Sequence, residues 1–353
     1  MEKPAPLPGI TIKMVNTPRL RQNVYFSGPA NGVPVVFLHG NFSAALYFEE
    51  TMLALPPGFR GIAPDLRGYG WTEGKPIDAT LGIHEWAEDL DALLVTLGVG
   101  KAHLVGWSMG GGILYRYIAE HPEKALSVTL IDPVSPYGFG GTKDVDGVPC
   151  YDDYAGSGGV VNPTFIKLIQ ENDRGSSDPN SPRNVINAFY YKPPFKSPRE
   201  EDFLTAAMME RTGIEFYPGD FVASPNWPNV APGVKGIVNC WSPKYLSHEV
   251  PDLLAANPKP PVLWVRGDSD MIVADLSLFD FGGLGKLGYV PGWPGDDVYP
   301  PQPMVSQTRA VLEMYAKRGG AFREVVIANA AHGPLIDQAE EFNKLFHAFI
   351  AGR

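Results

Sequence analysis

Three side chains far apart in the chain, Ser108, Asp270 and His332, are of the types needed for nucleophilic hydrolysis. A serine hydroxyl is a weak nucleophile at neutral pH, so it needs a base, and the base needs an orienting partner. Ser108 lies in Gly106-Trp107-Ser108-Met109-Gly110, between the apolar run His103-Leu104-Val105 and a helical pattern from Gly111 to about Glu120. This context predicts a sharp strand-to-helix turn that exposes the hydroxyl and admits only small residues two places to either side. Asp270 closes Arg266-Gly267-Asp268-Ser269-Asp270 after one apolar strand, and His332 follows another in Ala331-His332-Gly333. All three should emerge at one edge of a sheet. Asp132 also ends a strand and competes for the role of the acid, with Asp268 as a third candidate. Gly267-x-x-Asp270 supplies a turn that favours Asp270, whereas Asp132-Pro133 reads as an exit from the sheet and Asp268 as a residue that bonds its own loop.

The elements that must position these groups alternate. Ile10 to Met14 and Arg19 to Phe26 read as an N-terminal hairpin or paired edge strands, and Pro34 to Leu38 as a strand covered on both faces. Helical spacing follows over about Ala44 to Leu53, a strand at Gly61 to Ala63, and a helix from Ile83 to Leu97 with Trp86, Leu90, Leu93 and Leu94 on one face. Strands recur at 128–132, 261–265 and 324–328, before a C-terminal helix over about Ile336 to Ala351. This order predicts an α/β fold, a mostly parallel, doubly wound sheet with ligands at the carboxyl ends of its strands. The core is expected at 1–133 and 260–353. Residues 134–259, rich in proline and aromatics, read as an inserted, mainly helical cap. The stretch 275–303 is expected either to fold over the cap or pocket entrance or to form a contact in a homo-oligomer.

The chain resembles the α/β-hydrolase superfamily through His39-Gly40, Asp65-x-Arg67-Gly68-x-Gly70, Gly106-x-Ser108-x-Gly110, Gly267-x-x-Asp270 and His332. The resemblance implies Ser108 as nucleophile, His332 as general base and then acid, and Asp270 as the carboxylate that holds the imidazole. It implies an oxyanion hole from the backbone N–H groups of Met109 and Asn41, with Phe42 as the alternative donor. Phe42 and Trp107 are candidate substrate contacts, with packing behind the sheet as the alternative for Trp107; His39 and Arg67 read as structural. The implied activity is a serine hydrolase for esters or lactones of small to medium hydrophobic substrates. Serine at the elbow argues against epoxide hydrolases and haloalkane dehalogenases, which use aspartate. Carbon–carbon bond hydrolases and perhydrolases share Ser108-Met109-Gly110-Gly111, but the former commonly carry tryptophan where Gly333 stands, and the latter a proline that Asn41-Phe42 lacks. A non-catalytic ligand receptor of the same fold is the alternative from another class. Amidase or aminopeptidase activity ranks low, because no acidic pocket residue is identified to hold a substrate amine.

Bulk properties bound these readings. A net charge of −10, with no basic patch, argues against nucleic acid or an anionic membrane as partner. No apolar run reaches the roughly 20 residues needed to span a bilayer, and Met1-Glu2-Lys3-Pro4 lacks the apolar core of a secretory signal, so a cytoplasmic location is expected. Cys150 and Cys240 are too sparse for a metal knuckle. His84-Glu85-Trp86-Ala87-Glu88 has no second histidine, so neither metal nor cofactor is expected.

Overall fold

The computed structural model describes residues 2–352; Met1 and Arg353, at the outer ends of the expected core, lie outside them. Eight strands form one sheet: β1 (Thr11–Asn16), β2 (Arg21–Ser27), β3 (Val33–Leu38), β4 (Phe59–Pro64), β5 (Ala102–Trp107), β6 (Ala125–Ile131), β7 (Val262–Gly267) and β8 (Phe322–Ile327). Their spatial order is β1-β2-β4-β3-β5-β6-β7-β8. β1 pairs antiparallel with β2, and β2 with β4. From β4 onward every pairing is parallel. The apolar runs explain the middle of the sheet, since Val35, Val36, Phe37 and Leu38 are all fully buried and side chains on both faces are covered.

Helices α1 (His84–Thr96) and α2 (Met109–Glu120) bury the apolar faces that their spacing predicts. Asp89, at the boundary of that face on α1, is buried as well, because Arg67 Nε and Arg19 Nε both reach its carboxylate at 2.7 Å. Two expected helices are broken. Residues 44–53 form a 3-10 turn (Ala45–Phe48) and one α-turn (Glu49–Leu53). The C-terminal helix is interrupted at Gln338 into Pro334–Asp337 and Ala339–Ile350.

Between β6 and β7 the chain leaves the sheet for short helices, among them Pro163–Gln170, α3 (Glu200–Ala207) and α4 (Glu249–Ala255), with a π-turn at Ile186–Tyr190. α4 returns to the sheet side, where Arg116 of α2 pairs with Asp252 at 2.8 Å. The 275–303 stretch carries a short helix, Phe281–Lys286. It packs on the inserted segment: the Phe279 ring meets Phe189 at 4.9 Å, and the Tyr299 hydroxyl donates to Ala155 O at 3.0 Å. No described helix is long and apolar enough to cross a membrane.

Candidate active site

The turn after β5 holds Ser108 at φ 54°, ψ −117°, a conformation L-residues rarely adopt and one that stores roughly 1–3 kcal/mol. Neighbouring backbone over-determines it. The Ser108 N–H donates to Ile131 O at 2.8 Å, and its carbonyl accepts from the N–H groups of Gly111 at 3.0 Å and Val134 at 3.2 Å. Helix α2 starts at once, pressed against the end of β3. A Cβ on Gly110 would lie 2.1 Å from Leu38 O, which is why this position takes no side chain.

Loops after β7 and β8 bring the other two groups to the same rim. His332 Nδ1 and Asp270 Oδ2 are 2.8 Å apart, with both side chains 3% exposed. Asp270 Oδ1 accepts from the N–H groups of Ile272 at 2.7 Å and Val273 at 3.2 Å, which fixes the carboxylate. The Trp107 indole N–H donates to His332 O at 2.6 Å, and its ring lies 5.7 Å from the imidazole. The residue before the serine thus holds the histidine's backbone. Among the described residues no hydrogen bond joins Ser108 Oγ to the imidazole, a looseness common before substrate binds.

The loop after β3 runs beside the serine, since a Cβ on Gly40 would lie 2.9 Å from Ser108 Cβ. His39 anchors this loop. Its Nε2 accepts from Leu66 N–H at 3.0 Å while Nδ1 lies 2.8 Å from Gly40 O, an arrangement that needs the neutral ring, and burial pushes its pKa down to about 4. Arg67 makes a two-pronged pair with Asp89, at 2.7 and 2.9 Å. Asn41 takes the Tyr69 hydroxyl on Oδ1 at 2.7 Å, and Phe42, at φ 45°, is buried against Phe165. Met109, the first residue of α2, touches the same Tyr69 hydroxyl through Sδ at 3.2 Å.

Asp132 stands beside the acid–base pair, although it makes no hydrogen bond to His332 in this structure. One ligand atom each of Asp132, Asp270 and His332 lies within 4.8 Å of the others, and Asp132 Oδ1 accepts from Gly267 N–H at 3.1 Å. Burial, reinforced by the neighbouring Asp270 charge, raises the Asp132 carboxyl well above the usual carboxylate range. Asp268 bonds Ser269 of its own loop, at 2.7 Å. The group His84, Glu88 and Glu120 is an ion-pair cluster in which Glu120 Oε1 already meets His84 at 2.7 Å and Arg116 at 3.0 Å.

A family model described as "alpha/beta hydrolase fold" matches residues 33–278. The chain belongs to the α/β-hydrolase family. This α/β hydrolase is 30% identical over 175 residues to the non-heme chloroperoxidase CPO-A1 of Kitasatospora aureofaciens, covering 48% of this chain and 62% of that one. It is 29% identical over 171 residues to the 2-hydroxymuconate semialdehyde hydrolase of Pseudomonas sp. strain CF600, covering 48% and 54%. The matches thus span less than two thirds of these relatives. A crystal structure of a putative aryl esterase from Burkholderia cenocepacia superposes with a TM-score of 0.58 at 18% identity, covering 97% of this chain and 98% of that one, a likeness of fold.

Sequence reasoning missed two residues of this α/β hydrolase that border the site. Tyr190, from the inserted segment, donates its hydroxyl to Asn41 O at 2.7 Å, and its ring lies 6.0 Å from that of His332. Its surroundings in sequence, Phe189-Tyr190-Tyr191, give no sign of which ring points inward. Glu210 lies in the same neighbourhood, and a charged run, Glu210-Arg211, reads as surface. Trp107, weighed between lining the pocket and packing behind the sheet, is fully buried against Tyr47, Tyr190 and His332.

Proposed function

We propose that this chain is a serine hydrolase that cleaves carboxylic esters or lactones of small to medium substrates through an acyl-enzyme. The observation that carries the reading is the 2.8 Å contact between His332 Nδ1 and Asp270 Oδ2, next to a serine held in a strained turn. Ser108 Oγ attacks the carbonyl carbon as His332 Nε2 takes its proton. The Met109 and Asn41 N–H groups receive the developing oxyanion, each such bond being worth about 3 to 4 kcal/mol. His332 then protonates the leaving oxygen. Water, deprotonated by the same imidazole, releases the acid and restores the hydroxyl. Apolar parts of the substrate fall to Phe42 and its partner Phe165, which sit beside the oxyanion loop. Cys150 and Cys240, both free, suit a reducing, cytoplasmic setting.

The test is labelling by a fluorophosphonate together with turnover of p-nitrophenyl esters of graded length and a lactone panel. Wild type should label and turn over, and Ser108→Ala should do neither. Turnover of a vinylogous diketone, with no ester or lactone activity, would transfer the chain to the carbon–carbon bond hydrolases.

A further inference from the structure

Buried carboxyls in this protein have partners, with one exception. Glu49 meets Arg199 at 2.7 Å, and Asp65 takes the N–H groups of Ala45 and Trp71, each at 2.9 Å. Glu210, 4% exposed, is the one buried carboxyl among the described residues with neither a hydrogen bond nor an ion pair on either oxygen. It sits just past the end of α3, where its N–H donates to Ala207 O at 3.0 Å. That end of a helix presents carbonyls and a negative field, a poor place for an anion and a good one for a cation.

Its neighbours put it at the candidate active site. The Phe42 amide and the Tyr69 hydroxyl face the carboxyl, although neither closes a hydrogen bond onto it. Tyr69 touches both Asn41 and Met109, the two residues that flank the Ser108 hydroxyl as candidate oxyanion donors. Of the hydroxyls nearby, those of Tyr69 and Tyr190 are already engaged, while the Phe42 N–H and the Tyr217 hydroxyl also lie beside the carboxyl. Tyr69 gives its proton to Asn41 Oδ1, and Tyr190 gives its proton to the Asn41 and Phe42 carbonyls at 2.7 and 3.1 Å. The nearest cation in sequence, Arg211, turns away over the Phe216 ring and toward Thr72 O. What remains is a buried carboxyl next to the rings of Tyr69, Tyr190 and Tyr217, which a group rich in hydrogen-bond donors would satisfy.

We propose that Glu210 binds a protonated amine of the substrate, so that the preferred ester carries an amino group on its acyl part close to the scissile carbonyl. This deepens, and rests on, the serine-hydrolase reading. Burial keeps the empty carboxyl protonated well above the ordinary range. An arriving ammonium therefore pairs with Glu210 as the carboxyl releases its proton to solvent, leaving carboxylate and ammonium in contact. Amine binding consequently strengthens as pH rises, up to the point where the amine itself loses its proton.

The experiment compares the ethyl esters of alanine, propionic acid and lactic acid by pH-stat titration, in wild type and Glu210→Gln. Charge-assisted bonds of this kind predict a kcat/KM preference for the alanine over the propionic ester of about 10- to 100-fold in wild type. Glu210→Gln should bring that ratio to about one, whatever happens to the absolute rates. Should the variant fail to fold, wild type decides alone: KM for the alanine ester falls as pH rises toward the point where the amine loses its proton, with no parallel fall for the propionic ester. A wild-type ratio near one, or a larger preference for the lactic ester, overturns the assignment of Glu210 while fluorophosphonate labelling of Ser108 still supports the hydrolase. Absence of labelling in wild type would overturn both.

Discussion

Replacing Asp270 by asparagine tests how the two acids beside the imidazole divide their work. In the native site burial and the neighbouring Asp270 charge both favour the protonated form of Asp132. With ligand atoms within 4.8 Å of each other and an effective dielectric of about 20, two ionised carboxylates there would repel by about 3 kcal/mol. Asp270→Asn removes that repulsion and shifts the Asp132 proton equilibrium toward ionisation by roughly a hundredfold. An ionised Asp132, already within 4.8 Å of the imidazole, then stabilises the imidazolium that forms as Ser108 attacks. Loss of the orienting acid in a serine triad costs roughly 10,000-fold. With Asp132 in reserve, the loss for Asp270→Asn is expected to be only about 100-fold, and the full loss should appear in Asp270→Asn combined with Asp132→Asn. Asp132→Asn alone should change the rate by no more than about threefold, since an amide of the same shape replaces a carboxyl whose protonated form is favoured. The assay is kcat/KM on a p-nitrophenyl ester, with the fluorophosphonate labelling rate beside it. Equal rates for Asp270→Asn and the double variant would refute the reserve role, as would a hundredfold loss from Asp132→Asn alone.

Two further outcomes follow from the same structure. Glu249 on α4 is buried, and this pushes its carboxyl up to about 7 against Arg116 at 3.7 Å. The raised value means its contribution is fully present below about pH 4.5 and is lost as pH climbs to about 7, so Glu249→Gln should gain up to about 3 kcal/mol over wild type across that window and no more above it. Denaturant unfolding at several pH values checks this, and a difference independent of pH would contradict it. Gly110→Ala would drive a methyl group to 2.1 Å from Leu38 O and should destabilise by about 3 kcal/mol, whereas Gly100→Ala, with no atom within 4 Å, should stay within about 0.5 kcal/mol. Equal melting temperatures for the two variants would show that α2 can shift away from β3.

What could be read in the sequence was whatever is written locally. Val35 to Leu38 and Val262 to Val265 are unbroken apolar runs, and only a strand covered on both faces accommodates them. The elbow was legible because Gly106 and Gly110 bracket Ser108 at a spacing that strain and close packing enforce. The contact of Asp270 with His332 was legible because each ends a strand of one parallel sheet, whose strands end on one rim. Tyr190 and Glu210 were not. Neither lies on a periodic element: one ends a π-turn and the other follows the last turn of α3. Their inward orientation depends on how short, proline-broken helices stack, which no local pattern records. Asp132 was placed correctly at a strand end, but the upward push on its pKa was invisible, because burial and a neighbouring charge are properties of the assembled site.

Ser108 has only 7% of its surface open, and the Tyr190 hydroxyl is latched onto the very loop that would cradle a reacting oxygen. A molecule approaching from solvent meets a shut door. That latch, like the Arg199 grip on Glu49, ties the inserted segment to the strand-bearing part of the chain. Where entry of a substrate depends on the inserted segment moving aside, thickening the solvent should slow turnover even if the bond chemistry is fast.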